Sequence, residues 1–388
     1  MHKFIITALV LLSGATTVRA QEYRDCYREW SDQPLTLDDF SGKKSKNDTL
    51  MVGLAWKYSV RMKEKKIPFG RITYPHMFLY LNRCSSWIDP AHRNENALRL
   101  GQTSFDMLEV YRRKIQKTLA YNVSTSTDAF DEVCSFYIQQ HSELFEEMCD
   151  STQIGERTDV MDMYAAQADS MLAESEVDLA DAPIGTLRGR FDMGAGLNLM
   201  TTANDCYTQA PLGVDLSLVW GFRRHLFSTN FAGNFGAESK VDYDTDHGPI
   251  YQGDDVQVMQ FFFRYGYLVN PRSERAVYPT FGLGFACMSG EMLPDEKEAP
   301  QVYGFSFDVG CLYELPLYRH IYKYNGMNNS YCGTANGTLR RYTGSQTGCF
   351  LLLRPSVGFA KMPDVKGMQP TLNLALIVCF SGKVYDNK

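Results

Sequence analysis

Between Thr186 and Lys383, apolar and polar residues alternate in segment after segment, and at least eight segments do so cleanly enough to assign every side chain to one of two faces. In the first, Leu187, Gly189, Phe191, Met193, Ala195, Leu197 and Leu199 share one face, with Arg188, Arg190, Asp192, Gly194, Gly196 and Asn198 opposite. A period of two belongs to an extended strand. Leu212 to Phe222, Phe227 to Phe235, Met259 to Tyr267, Val277 to Phe285, Tyr303 to Tyr313, Leu351 to Phe359 and Leu372 to Phe380 repeat the pattern. The face opposite the large apolar residues is mostly Gly, Ser and Asn with few charges. That composition suits the cramped interior of a narrow barrel whose aromatic and aliphatic side chains meet lipid. Trp220, Phe222, Phe227, Tyr265, Tyr267 and Tyr313 gather near one set of strand ends, as an interfacial girdle does. The expectation for residues 186–388 is an all-β, antiparallel, eight-stranded outer-membrane β-barrel. A soluble secreted protein with a β-sandwich in this half is the alternative.

The start of the chain agrees with export. Met-His-Lys, an apolar stretch from Phe4 to Leu12 and Val18-Arg19-Ala20 read as a signal peptide over 1–20. No run approaches the ~20 apolar residues of a spanning helix. Thirty-nine Lys and Arg against 45 Asp and Glu, a net charge of -6, argue against a nucleic-acid partner. Ten cysteines in an exported chain permit disulfides. Cys287, Cys311, Cys349 and Cys379 lie in the alternating segments and read as small apolar filler. Bridge candidates are Cys26, Cys84, Cys134 and Cys149; the last two fall in one predicted helix, where 15 residues span ~22 Å, too far for a bond.

An even strand count puts both ends of the barrel on the periplasmic side, with outer loops at about 200–210, 237–254, 289–301 and 361–369. The connection from about Tyr318 to Ser345 is long for a periplasmic turn, which implies an insertion there or one more hairpin. Predicted inward charges are Arg188, Arg190, Arg223, Arg264 and Arg354 with Asp192, Asp215, Asp308 and Glu314. Eight strands leave an interior that side chains fill, so these groups are expected to form a paired polar network rather than line a pore or an anion site. The acidic outer loops, with Asp242, Asp244, Asp246, Asp254, Glu296 and Glu298, read as solvated surface.

Residues 21–178 mix strands and helices. Met51 to Met62 and Gly70 to Asn82 are predicted strands; helical periodicity follows at about Asn94–Tyr121, Ala129–Met148 and Glu156–Ala173. An aperiodic acidic stretch leads to a linker at 179–185. Leu35 to Gly42 reads L-T-L-D-D-F-S-G, Ser85 to Pro90 reads S-S-W-I-D-P, and Phe105 to Lys114 reads F-D-M-L-E-V-Y-R-R-K. In order and spacing these resemble a family of secreted bacterial zincin-like proteins of unknown function over about 140 residues. Its members show L-T-W-x-D-F-x-G, S-W-V-x-P and H-E-Q-G-H-F-D-I-x-E-x-Y-A-R-K. The resemblance implies an α+β zincin-like domain, and it also shows what is missing. In that fold two histidines four apart hold zinc and a glutamate activates water. The matching positions here are Leu100, Gly101, Gln102, Thr103 and Ser104, and the third-ligand position falls on Ile154. Asp106 and Glu109 remain, as salt-bridge partners. His76, His92 and His141 show no ligand-like spacing, and neither a nucleophile elbow nor a phosphate loop is present.

The expected protein is therefore a non-enzymatic outer-membrane barrel that anchors a metal-free, peptidase-like periplasmic domain with a binding or structural role. No cofactor is implied. Its expected partners are outer-membrane lipid and a periplasmic peptide, protein or envelope polymer. A metallopeptidase with a rearranged site is the enzymatic alternative, and a pore or transporter a third.

Overall fold

The computed structural model describes residues 26–44, 50–121, 127–153, 155–174, 176–182, 184–202, 205–208, 212–270, 275–292, 298–323 and 344–386. The segment read as a signal peptide, Ile154 and Glu296 lie outside them. The described residues fall into two compact units. The first runs to Lys63 and from Tyr74 to Ala182; the second holds Glu64–Thr73, Ile184–Lys323 and the residues from Gly344 on. The break after Ala182 falls within 179–185, and residues 64–73 group with the second unit. Leu179 and Ala180, expected in an open linker, are buried.

The elements before the ring are β1 (Tyr27–Glu29), β2 (Val52–Gly53), β3 (Trp56–Ile67), β4 (Gly70–Asn82), β5 (Trp87–Ile88), α1 (Glu95–Tyr121), α2 (Thr127–Ser151) and α3 (Thr158–Leu172), all in the first unit except the end of β3 from Glu64 and the start of β4 up to Thr73. The strand expected from Met51 starts five residues later. Gly53 packs so closely on Trp87 that a Cβ would sit 2.4 Å from the indole, and the hydroxyl of Ser86 accepts from the Ala55 amide at 3.0 Å. Val52 and Gly53 are thereby diverted to pair with β5. Along α1, Ala97, Leu100, Ser104, Leu108, Tyr111 and Ile115 recur every three or four residues and are all buried, the stripe of an amphipathic helix. Asn94 caps it, its side-chain oxygen accepting from the Ala97 amide at 3.0 Å. Leu79 and Leu81 of β4, Met148 of α2 and Met161 of α3 complete the core with Phe40 and Phe105. Cys26 and Cys84 form a disulfide, while Cys134 and Cys149 are thiols.

The second unit is a closed sheet. Its strands are β6 (Thr186–Thr202), β7 (Gly213–Phe222), β8 (His225–Glu238), β9 (Asp255–Tyr267), β10 (Ala276–Ser289), β11 (Gln301–Lys323), β12 (Gly344–Lys361) and β13 (Gln369–Asp386). Each pairs antiparallel with its sequence neighbours, and β13 returns to β6 from Asp386↔Thr186 to Thr371↔Thr202, closing a ring of eight. A sandwich would keep free sheet edges; this ring removes them. Phe191, Met193, Leu197 and Leu199 of β6 are exposed while Arg190, Asp192 and Asn198 are buried. The burial of β13 likewise alternates over almost its whole length.

Two features of the ring lie beyond the alternation. The loops at one end are not simply solvated: Cys206, Tyr207, Tyr243, Ile250, Met362 and Val365 fold over Met200, Val256, Val258 and Met288 as a dry plug. At the other end β11 runs on to Lys323, whereas its pairing with β10 stops at Glu314↔Ala276. The strand edge left open is covered by Gly70–Thr73, which pair parallel with Arg319–Tyr322. Gly70 adopts φ 154°, and a Cβ there would lie 1.7 Å from the Arg319 carbonyl oxygen. Only glycine fits. Gly70→Ala should therefore unzip this pairing, seen as faster hydrogen exchange at the Arg71–Thr73 and Arg319–Tyr322 amides with the rest of the ring unchanged; unaltered protection would contradict the register.

Candidate functional site

Two places concentrate polar groups away from water: the interior of the ring and the buried face of α1.

Inside the ring the two faces of each strand force charged side chains together. Arg264 of β9 donates to both carboxylate oxygens of Asp308 on β11, at 3.1 and 2.8 Å from Nε and 2.6 Å from Nη2. Its Nη1 donates to Asn230 Oδ1 at 2.6 Å, and Asn230 donates to Ser217 Oγ at 2.7 Å. Arg354 pairs with Asp215. Nearer the turn end, Arg190 donates to Glu314 at 2.7 Å and to the Tyr278 hydroxyl at 2.9 Å and also pairs with Asp192, while Lys383 meets the other oxygen of Glu314. Room for the Arg264–Asp308 pair exists because residue 282 is glycine: a Cβ there would be 2.2 Å from Asp308 Oδ1.

Arg190, Asp192, Asp215, Arg264, Asp308, Glu314 and Arg354 all point into the ring and are buried. Arg188 is half-buried at its margin and bonded to Asp386 at 3.2 Å. Arg223 is misplaced by the alternation. It forms, with Arg224, the tight turn between β7 and β8, has φ 55°, and is exposed; a turn breaks the period of two, so parity on the preceding strand no longer tells its direction. Lys383 is the buried charge that the alternation would have found had it been followed past Ser381, since both occupy inward positions of β13. With it, the buried set is four cations (Arg190, Arg264, Arg354, Lys383) and four anions (Asp192, Asp215, Asp308, Glu314).

The helix α1 carries the second site. Leu100 is fully buried, and Gly101 abuts Phe40, where a Cβ would lie 2.8 Å from the ring. Ser104 is buried, and its hydroxyl has no hydrogen-bond partner among the described residues. Its carbonyl lies 3.4 Å from His141 Nε2 of α2. Asp106 accepts from Trp30 Nε1 and Gln102 Nε2, each at 2.9 Å; burial raises its pKa against those bonds. Glu109 holds Arg112 at 2.7 Å and Arg113 at 2.9 Å, and Arg112 continues to Glu176 at 2.6 Å. Both carboxylates that survive on the helix are thus structural. The other histidines are scattered: His76 lies in β4 against Glu176 at 3.8 Å, and His92 ends a 3₁₀ turn. Among the described residues, no group of three or more His, Cys, Asp or Glu is placed to hold a metal. Leucine and glycine offer no donor and serine only a weak one, so this helix face does not fit zinc. A cavity of about 690 Å³ does adjoin it, bounded by Val52, Trp56, Trp87, Ser104, His141 and Phe145.

No protein-family model and no curated protein matches the chain. Among solved structures, Ail, the attachment invasion locus protein of Yersinia pestis in complex with the heparin analogue sucrose octasulfate, is 11% identical; the match covers 50% of this chain and 99% of that one with a TM-score of 0.28. The Neisserial surface protein A gives 11%, 50%, 95% and 0.28 in the same order, and the outer membrane protein OprG of Pseudomonas aeruginosa 11%, 52%, 98% and 0.24. The functional reading of this chain rests on its own geometry.

Two outcomes follow from that geometry. Asp308→Leu strands Arg264 in a dry interior and should cost about 3–5 kcal/mol, whereas the double variant Asp308→Leu/Arg264→Met should recover most of it. Urea unfolding of the detergent-refolded chain measures both; a neutral single variant would contradict the pairing. In the first unit, burial lowers the His141 pKa to about 4. The unfolded imidazole, with a pKa near 6.5, then takes up a proton that the fold refuses, so stability is complete above about 6.5 and falls as pH drops toward 4. At about 1.4 kcal/mol per pKa unit the loss reaches roughly 3 kcal/mol. His141→Gln should flatten the stability profile of the full chain across that window. An identical slope would mean that His141 is solvated.

Proposed function

We propose that this chain is an outer-membrane protein whose eight-stranded ring is a lipid-embedded barrel, with the first unit on the periplasmic side as a non-enzymatic binding or structural domain. One observation carries the reading: the ring is inside out relative to a water-soluble β-protein. The charges on the inner face of its strands are buried and paired, while Phe191, Leu218, Phe263, Phe281, Phe305 and Phe380 stand exposed on its outer wall. Leaving a large apolar side chain in water rather than burying it forfeits about 1.5–3 kcal/mol, and a belt of them is stable only against lipid. The dimensions agree. On β13 the exposed residues run from Leu372 to Phe380, roughly 26 Å along a strand at ~3.3 Å per residue and about 20 Å along the axis at a 40° tilt, close to the ~25 Å apolar band of such barrels. Trp220, Phe222, Tyr265, Tyr267, Tyr313 and Tyr318 are exposed around the turn end, the level of an aromatic girdle. No helix among the described residues is long and apolar enough to cross a membrane.

A conducting function finds no support, because the midsection is filled by paired side chains and the loop end by an apolar plug. For the first unit, the sequence resemblance and the cavity beside Ser104 and His141 support a degenerate, zincin-like pseudo-peptidase that keeps a cleft without the metal. A periplasmic peptide, protein or envelope polymer is its proposed partner class.

The test is gel mobility of a carbonate-washed outer-membrane fraction with and without boiling, coupled to metal analysis of the purified full-length protein. The expected result is retention in the pellet, a heat-dependent mobility shift and less than stoichiometric zinc. A protein that is washed off and shows no shift is not a membrane barrel, and stoichiometric zinc would overturn the non-enzymatic reading.

A further inference from the structure

Within the second unit the loop end is plugged, whereas the turn end holds a cavity. A cavity of about 560 Å³ lies there within the second unit, between the Arg223–Arg224 turn, the entry of β6 at Thr186 and the close of β13 at Tyr385. Three of its properties bear on what it holds. Its floor is built from buried side chains, Tyr278, Glu314 and Lys383. Its lining also includes His225 and Tyr267, which are exposed residues of the outer wall. The cavity therefore reaches from the polar interior to the rim of the apolar belt. Finally, its charge is one-sided: the Arg223–Arg224 turn and Lys383 line it together with a single carboxylate, Glu314, which is already bonded to Arg190 and Lys383.

Arg223 and Arg224 sharpen the point. Neither has a carboxylate partner among the described residues. Arg223 lies over the ring of Phe222, 5.1 Å from its centroid, and the backbone is fixed in a left-handed conformation to present it. That backbone is held on both sides, the Arg223 amide donating to the Arg188 carbonyl at 3.3 Å and the Arg224 carbonyl accepting from the Leu268 amide at 2.8 Å. A two-residue hairpin turn favours Asn or Gly at a positive φ; arginine there bears a conformational cost that yields no contact with another protein charge. Two guanidinium groups held at the level of Trp220, Phe222, Tyr265 and Tyr267 match the phosphate layer of a leaflet in both chemistry and depth.

We propose that this cavity seats the headgroup of one anionic phospholipid of the adjoining leaflet, its phosphate between Arg223 and Arg224, its headgroup hydroxyls toward Tyr278 and Lys383, and its acyl chains on the apolar belt. The proposal rests on the membrane-barrel reading and adds to it a lipid class and a place. Arginine meets a phosphate through paired N–H donors, and the excess of positive charge selects a headgroup with net negative charge over a zwitterionic one.

Trp220 provides the readout. The full-length protein is refolded into vesicles of phosphatidylethanolamine with a minority of phosphatidylglycerol, and bromine is placed on the acyl chains of one lipid or the other at equal mole fraction, so that only the position of the quencher differs. Excess quenching by the brominated phosphatidylglycerol is expected. Arg223→Gln/Arg224→Gln should reduce that preference by up to about 25-fold, since each basic residue at an anionic surface contributes about fivefold, and the heat-dependent mobility shift should be unchanged. Equal quenching by the two lipids in the unaltered protein overturns the proposal, as does a preference that the double variant retains. Loss of the preference to inorganic phosphate, but not to chloride at matched ionic strength, would mean a soluble anion site and also overturns it. If the unaltered protein shows no mobility shift at all, the barrel reading itself has failed, which separates the two outcomes.

Discussion

In a ring of only eight strands, every inward charge must find its opposite among side chains of the same ring, because the lumen has no room for bulk water to solvate it. The rest of the second unit follows from that constraint. Small residues have to stand beside the charged pairs, as Gly282 does beside Asp308. Donors and acceptors must be supplied from several strands at once: Arg264 reaches Asp308 on β11 and Asn230 on β8, and Arg190 reaches Glu314 on β11 and Tyr278 on β10. The pairs tie strands that are distant in sequence, and a one-residue slip of any of the six strands that carry them would turn a charge outward into the apolar belt and an apolar residue inward. The network is best understood as a device for register. Buried pairs add little net stability over a well-packed apolar core, but a wrong register leaves them unpaired at a cost of several kcal/mol.

The alternation made the strands legible because both of its faces are extreme: large apolar groups on one, charges and small groups on the other. Where one face loses that contrast the reading failed. Strand parity extended into the β7–β8 turn points Arg223 inward where the chain has left the strand, and a last segment ending at Phe380 stops short of the buried Lys383. The pairing of Gly70–Thr73 with β11 had no local signature at all. Its cause is the overrun of β11 past the last pairing of β10, and an unpaired edge is a property of the closed sheet, invisible in either segment alone. The loop plug was hidden for a related reason. Tyr243 and Ile250 sit among aspartates that read as solvated surface, yet they are buried against Tyr207 and Met362.

In the first unit the motifs that carry the family resemblance turn out to have mechanical roles. Thr36 and Asp39 cap a 3₁₀ turn, and the buried Asp39 also receives Arg28 and Arg83. Phe40 presses on Gly101, Ser86 bonds Ala55, and Trp87 covers Gly53. These contacts hold α1 against the strands and require no ligand on the helix. The disulfide between Cys26 and Cys84 was one of several pairings open to the sequence; the β1–β4 pairing, Tyr27 opposite Asn82, decides it by bringing the two cysteines together.

The interior of the ring is graded along its axis: an apolar plug at the loop end, three cation–anion clusters in the middle third and toward the turns, and a basic cavity at the mouth. A conduit would need polar, weakly bound walls from end to end, whereas this arrangement becomes more accessible in one direction only. The cavity lies at the end where the chain enters β6 and leaves β13 and where aromatic residues surround the rim. The plugged end presents loops alone, and its stability comes from apolar packing that owes nothing to the charges below it. The two ends are for that reason separable: substitutions in the charge network bear on register and on the mouth, and substitutions in the plug bear on closure.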